Sequence, residues 1–263
     1  MERRILYEDN HLLAIDKPAG LLSQGDITGD ANVVDLLKDY RKRKENKPGE
    51  AYVGLVHRLD RPVSGVLVLA KTSKAASRLN HDWATSQVEK LYRAVVTSSD
   101  SRVAVPRPES IGFAGDEWTR WKDRLIKDPA TNTVRVCGTD ESDAKESKTA
   151  LLEIRLIGQN RNFSDLEIRL GTGRGHQIRV QLASRGLAIV GDAKYGSKRS
   201  YPDESGYPRI ALHAWRLVIR HPTQKIRLQL TASLPPGWPG KHDSSIVSGF
   251  RWLENGPEND KVS

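Results

Sequence analysis

The chain has 263 residues, with 42 Lys and Arg against 33 Asp and Glu and a formal net charge of +9. Its single cysteine, Cys137, excludes an intrachain disulfide and a thiolate metal cage. No apolar signal core, membrane-length apolar run or fixed-period repeat is present, so a soluble, cytoplasmic, non-repetitive protein is expected, with a basic balance that favours a polyanionic partner.

Ile5–Tyr7 and Leu12–Ile15 are short apolar runs around the turn-forming Asp9-Asn10, which predicts strand, turn and strand. Asp16-Lys17-Pro18-Ala19-Gly20 then breaks the ladder, because Pro cannot donate to it and Gly permits a tight turn. Val33, Leu36, Leu37 and Tyr40 stand at helical spacing and predict a helix over Val33 to Lys44. Its end, Arg41-Lys42-Arg43-Lys44, reads as a solvated face. Gly65–Ala70 is continuously apolar, as a buried strand is. Ser73 is the expected cap of a helix that sets Ala76, Leu79, Asn80 and Trp83 on one face, and Leu91–Val96 is β-branched and strand-like.

From Pro106 to Lys148, Pro, Gly and acidic residues predict mostly surface connection, with a strand-like alternation at Thr133–Cys137. Leu151–Ile157 and Leu166–Leu170 alternate as half-buried antiparallel strands do. Gly171–Gly175 is a glycine-rich turn, and His176 to Ser184 is helical in spacing through Ile178, Val180 and Leu182. Leu212–Ile219 and Ile226–Leu230 close the fold as two strands around Pro222-Thr223. Strands outnumber helices and mostly read as antiparallel. The predicted class is α+β, a mainly antiparallel sheet flanked by helices, in one domain over residues 1–254 with two lobes around a cleft and a polar tail at 255–263.

The chemistry concentrates in His57-Arg58-Leu59-Asp60-Arg61-Pro62-Val63-Ser64-Gly65, which runs into the apolar strand ending at Ala70-Lys71. Asp60 stands between Arg58 and Arg61 on a loop that the strand holds rigidly, and the flanking guanidinium groups favour its negative charge. On residue chemistry alone, an ordinary loop salt bridge is the commoner fate of such an aspartate.

This segment closely resembles the sequence around the catalytic aspartate of the RluA family of pseudouridine synthases. Three further segments resemble that family in the same order. They are Ile5–Leu22 with its Lys17-Pro18-Ala19-Gly20 turn, Lys90-Leu91-Tyr92-Arg93-Ala94, and Gly173-Arg174-Gly175-His176-Gln177-Ile178-Arg179-Val180. Weaker echoes occur at Gly191-Asp192-Ala193-Lys194-Tyr195-Gly196 and at Leu212-His213-Ala214 leading to His221-Pro222, so the likeness runs from about residue 5 to residue 230. Two departures, Pro62-Val63 for the commoner Asp-Thr and Gln181 where His is frequent, are expected to bear on RNA preference. The opening motif begins at residue 5, so no S4 RNA-binding domain is expected ahead of it.

The resemblance implies isomerisation of uridine to pseudouridine in structured ribosomal or transfer RNA with no cofactor and no metal; the sequence is silent on oligomeric state, and a monomer is the default expectation. It makes Asp60 the nucleophile or charge stabiliser and Arg179 its partner. Tyr92 would lie against the base and is the candidate for handling the C5 proton. Arg58 would hold the RNA open after the uridine flips. His57, Arg61, Lys90, Arg174, His176 and Gln177 complete the expected RNA-binding set.

Other readings fare worse. A glycoside hydrolase normally requires a second carboxylate, and no second acid stands out near these motifs, which leaves only a distant Asp or Glu brought in by the fold. The Gly171-x-Gly173 pair has His176 where a dinucleotide fingerprint needs Gly, and no zinc-ligand spacing occurs. The rival from another class is an RNA-binding or RNA-chaperone protein that has lost catalysis on the same scaffold. The presence of Asp60, Tyr92 and Arg179 together argues against it.

Overall fold

The computed structural model describes residues 1–46, 48–98, 117–138, 146–160, 162–201, 207–240 and 248–253. Most of the predicted elements are present. β1 (Ile5–Glu8) and β2 (Leu12–Lys17) form the opening hairpin, α1 (Val33–Lys44) follows, and β3 (Gly54–Leu55) is a two-residue addition beside β4 (Ser64–Ala70). α2 (Ser73–Ala84) leads to β5 (Glu89–Ser98), β6 (Thr119–Asp128), β7 (Thr133–Val136), β8 (Lys148–Gln159) and β9 (Ser164–Leu170). α3 (Gln177–Ala183), β10 (Leu187–Ile189), β11 (Leu212–Arg220), β12 (Arg227–Thr231) and β13 (Gly249–Leu253) complete the fold.

The strands join in one sheet of order β1-β2-β4-β11-β5-β9-β8-β6-β7, with β3 beside β4, β10 beside β5, and β12 carrying β13 beyond β11. Among the described residues the pairings are antiparallel except β4 with β11, where Ser64 and Gly65 face His213 and Ala214 in parallel. That one parallel contact is unusually close. A Cβ on Gly65, at φ +115°, would lie 2.3 Å from the Ala214 carbonyl oxygen, so only glycine fits where the Asp60 loop enters the sheet.

All seven residues of β4 are buried, because the sheet has a core on each face. Leu67 and Leu69 join Leu13 and Ile15 in the larger core, where α1 packs through Val33, Leu37 and Tyr40. Val66, Val68 and Ala70 alternate to the other side and meet Leu12, Ala14 and the Ala75, Ala76 and Leu79 stripe of α2. β13 swings back to β1, where Tyr7 meets Phe250 and Trp252 edge-on.

Local chemistry explains where the elements differ from expectation. The cap of α2 is Thr72, whose hydroxyl accepts from the Ala75 amide at 3.1 Å, so Ser73 is the first helical residue instead. α3 begins after His176, which sits in the left-handed region at φ 52°. The basic end of α1 is only partly a solvated face. Arg41 is buried and donates to the carbonyls of Tyr52 and Lys71, and Lys44 reaches Glu8 at 2.8 Å.

The main correction is β6, a ten-residue strand inside the predicted surface connection. Burial alternates from Thr119 to Leu125, but Asp123 holds one of the inward positions and Ile126 breaks step, so the residue types show no period of two. Within that connection, 106–116 and 139–145 lie outside the described residues, as does the expected tail. Among the described residues no helix is long and apolar enough to cross a membrane.

Candidate active site

The Asp60 loop is held from below by the turn that follows β2. Lys17 is completely buried, and its ammonium donates to the carbonyls of Pro18 at 2.9 Å, Leu21 at 2.7 Å and Arg61 at 3.3 Å. Ser23 donates to the Leu59 carbonyl at 2.7 Å and accepts from the Leu59 amide at 3.1 Å. The Gly20 amide donates to the Arg61 carbonyl at 2.8 Å. The bonds to Leu59 and Arg61 fix backbone on either side of Asp60, and those to Pro18 and Leu21 hold the turn that makes them.

The opposite wall is the start of α3. Arg179 is buried, and its Nη1 donates to Asp60 Oδ2 at 3.0 Å. Its Nε and Nη2 donate as a fork to Oδ2 and Oδ1 of Asp192, at 2.7 and 2.8 Å. Burial opposes the charge on Arg179, yet the bonds to Asp192 and the charges of Asp192 and Asp60 outweigh it and raise its pKa above the usual value. Asp192 is aimed by a tight bend after β10. Gly191 has φ +89° there, and a Cβ on it would lie 2.3 Å from the Arg209 carbonyl oxygen.

His176 Nε2 stands 3.8 Å from Asp60 Oδ2, and its Nδ1 is 2.8 Å from the Tyr195 hydroxyl. That hydroxyl already accepts from the Val134 amide at 3.0 Å. Its proton is best spent on Nδ1, which assigns the ring proton to Nε2, the nitrogen facing Asp60. Burial lowers the His176 pKa against the pull of Asp60. The Tyr195 ring also lies 4.9 Å from the Arg179 guanidinium carbon.

Tyr92 comes from β5, where it pairs with Ile168 of β9. Burial, and then the charge of Asp60, push its phenol well above the ordinary tyrosine value. Lys90, two residues earlier on the same face of β5, is lowered by burial. Asp60, Arg179, His176, Tyr92 and Lys90 line a cavity of about 490 Å³ whose wall also includes Arg58, Trp83 and Arg174. That volume is within the range of small-ligand sites.

Every residue expected at the site lines this cavity except Arg61. Its guanidinium turns away to the Gly20 carbonyl at 2.9 Å and to Asp30 at 2.7 Å, so the two-arginine flank expected for Asp60 is not formed. Two other expected RNA contacts are occupied by structural bonds. His57 Nε2 accepts from the Val68 amide at 3.0 Å, and burial pushes its pKa down to about 3. Gln177 accepts from the Thr172 hydroxyl and the Arg174 amide and donates to the Leu151 carbonyl, which shapes the 171–175 turn. Gln181, expected to bear on RNA preference, is fully buried and donates to Asp123 at 2.6 Å. Val63 likewise belongs to the core. Lys17, Asp192 and Tyr195 received no role from the sequence, although the short segments that contain them were singled out.

The profile of the family described as RNA pseudouridylate synthase matches residues 11–184. The chain belongs to this family and is an isomerase. It is 31% identical over 237 residues to the ribosomal large subunit pseudouridine synthase D of Zymomonas mobilis, covering 88% of this chain and 69% of that one. It is 30% identical over 265 residues to the tRNA pseudouridine synthase C of Yersinia pestis, covering 98% and 95%. Among solved structures, human RNA pseudouridylate synthase domain containing 4 shares the fold, with a TM-score of 0.67 at 22% identity over 90% of each chain.

Proposed function

We propose that the cleft isomerises uridine to pseudouridine within a folded ribosomal or transfer RNA, with Asp60 as the reacting carboxylate. The observation that carries this is the Asp60–Arg179 bond at 3.0 Å on a wall of the same cavity that Tyr92 lines. Arg179 holds Oδ2. Oδ1 accepts no hydrogen bond among the described residues, and the side chain is 31% exposed, which leaves it available to a sugar or base.

The reaction breaks the C1′–N1 bond, turns the uracil, forms the C1′–C5 bond, and moves one proton from C5 while N1 gains one. Nothing is oxidised and no group is transferred to a second molecule, so the chemistry needs position and charge. Asp60 divides one difficult step into two by attack or by charge stabilisation. Arg179, locked by Asp192, keeps the carboxylate in one orientation. Tyr92 acts as a neutral phenol, since burial and Asp60 both oppose phenolate. It supports the uracil ring and relays a proton through its hydroxyl, with no resident charge.

Asp60 stands on the wall of a cavity beside buried Arg179, where a base still in its stack cannot present its reacting atoms, so the uridine must leave its helix or loop stack to enter. Exposed Arg58 and Arg174 at the mouth, with Lys90 further in, supply charge for the RNA backbone. Relatives named for the large ribosomal subunit and for tRNA both align over most of this chain, which supports either class of RNA.

Pseudouridine mapping across total RNA tests the reading in cells that carry the gene, lack it, or carry Asp60→Asn. At least one uridine should lose its mark equally in the second and third, while the variant protein binds RNA within about tenfold of wild type. An unchanged map, or a mark restored by Asp60→Asn, overturns the proposal.

A further inference from the structure

We propose that Trp83, backed by His57, is a second base-stacking subsite in the cleft, one that takes an unpaired nucleobase next to the target uridine. This rests on the reading of the cleft as the site of uridine isomerisation.

Trp83 continues the buried stripe of α2, four residues beyond Leu79, but lies at the end of the helix where the core under β4 runs out. Its ring is therefore only half-buried, and it lines the catalytic cavity. The other side of the platform is firm. The His57 and Trp83 rings stack at 4.8 Å between centroids and 21° between planes, and the bond from the Val68 amide fixes the imidazole from behind. Burial keeps that imidazole uncharged, so the pair is an apolar surface at neutral pH.

The cavity of about 490 Å³ has more room than one uracil ring fills, and Tyr92 already serves the reacting base. Arg58 and Lys90 line the same cavity as Trp83. A fixed aromatic ring beside cations is the arrangement by which proteins hold single-stranded nucleic acid, with stacking on the ring and charge on the phosphates. A uridine leaving its stack strips a neighbour of a stacking partner, and Trp83 offers that neighbour a replacement.

The test uses the full chain carrying Asp60→Asn, so that binding is read without turnover. The probes are hairpin RNAs with a single loop uridine, in which the nucleotide on its 5′ or 3′ side is either adenosine or abasic. On one side, removal of the base should weaken binding about tenfold, within the range for one base on an aromatic ring. Trp83→Leu should cost about the same on the adenosine hairpin and nothing further on the abasic one. Trp83→Phe should retain most of the affinity, which separates a lost ring from a lost fold. Equal losses on both hairpins mean that Trp83 only closes the α2 core, and they overturn the proposal. So does binding indifferent to the neighbouring base, or no binding at all. A failed pseudouridine map with an intact binding cycle would overturn the reaction but not the subsite.

Discussion

The turn after β2 and the first turn of α3 each bury a cation against the Asp60 loop, but they satisfy it differently. Lys17 spends its ammonium on three backbone carbonyls, and burial pulls its pKa down to about 7 against the charges of Asp60 and Asp16. Arg179 spends its guanidinium on two carboxylates, and its pKa is raised. A compact ammonium suits carbonyls that converge on a point, whereas a planar fork can serve Asp192 with two of its nitrogens and Asp60 with a third. One cation shapes the backbone beneath Asp60, and the other aims its carboxylate. The two grips should therefore fail in different ways.

The largest effect is expected from Asp192→Ala. The guanidinium would keep its burial but lose the partner that balances it, and breaking a buried ion pair from one side costs about 3–5 kcal/mol. Urea denaturation should show that loss, and single-turnover activity should fall with it even where the protein stays folded. A variant within about 1 kcal/mol of wild type with normal activity would show that Asp192 does not position Arg179.

A smaller and more selective effect should follow Arg179→Lys. The charge remains, so both carboxylates keep a cation and less stability is lost than in Asp192→Ala. An ammonium cannot bond Asp60 and both oxygens of Asp192 together, and losing one charge-assisted bond of about 1.5–3 kcal/mol predicts a fall in kcat of roughly 10- to 100-fold with little change in KM. A variant altered only in KM would make Arg179 an RNA contact and erase the distinction between the grips.

How far the sequence revealed these grips depends on the kind of bond each makes. β4, α1 and the opening hairpin were legible because each buries a regular set of positions, and periodicity records that directly. β6 was not, since Asp123 holds one of its inward positions and Ile126 breaks step, so its residue types show no period of two. Asp60 and Arg179 lie 119 residues apart, and only the fold brings them to 3.0 Å. They were found because each stands in a distinctive local motif. Asp192 acts entirely through a bond to another side chain, and Lys17 through carbonyls, which every residue carries. Neither kind of bond leaves a pattern in residue types. The same limit explains Arg61 and Gln177, polar neighbours of the site whose bonds turn out to hold backbone.

The smallest effect, and the one that reads the Lys17 grip by itself, is expected from Lys17→Met. Methionine keeps much of the buried stem but removes the donor, which takes a partner from the carbonyls of Pro18 and Leu21, while the Arg61 carbonyl keeps the Gly20 amide. A buried unsatisfied group costs about 1–3 kcal/mol, and partial relaxation should hold the total near that range. The pH dependence is more telling than the size. The folded pKa is about 7 and the unfolded value is 10.5, so between them the unfolded chain holds a proton that the native chain does not. Wild-type stability should therefore rise with pH across that window and be lost as pH falls toward 7, where the native state must carry a buried charge. The variant lacks the group and lacks that slope. Its deficit against wild type should be largest near pH 9 and shrink toward pH 6, as read from urea denaturation at both values. A deficit that is constant, or larger at pH 6, would mean that the carbonyls and Asp60 hold Lys17 fully charged. The two cations would then be alike in charge and differ only in what they hold.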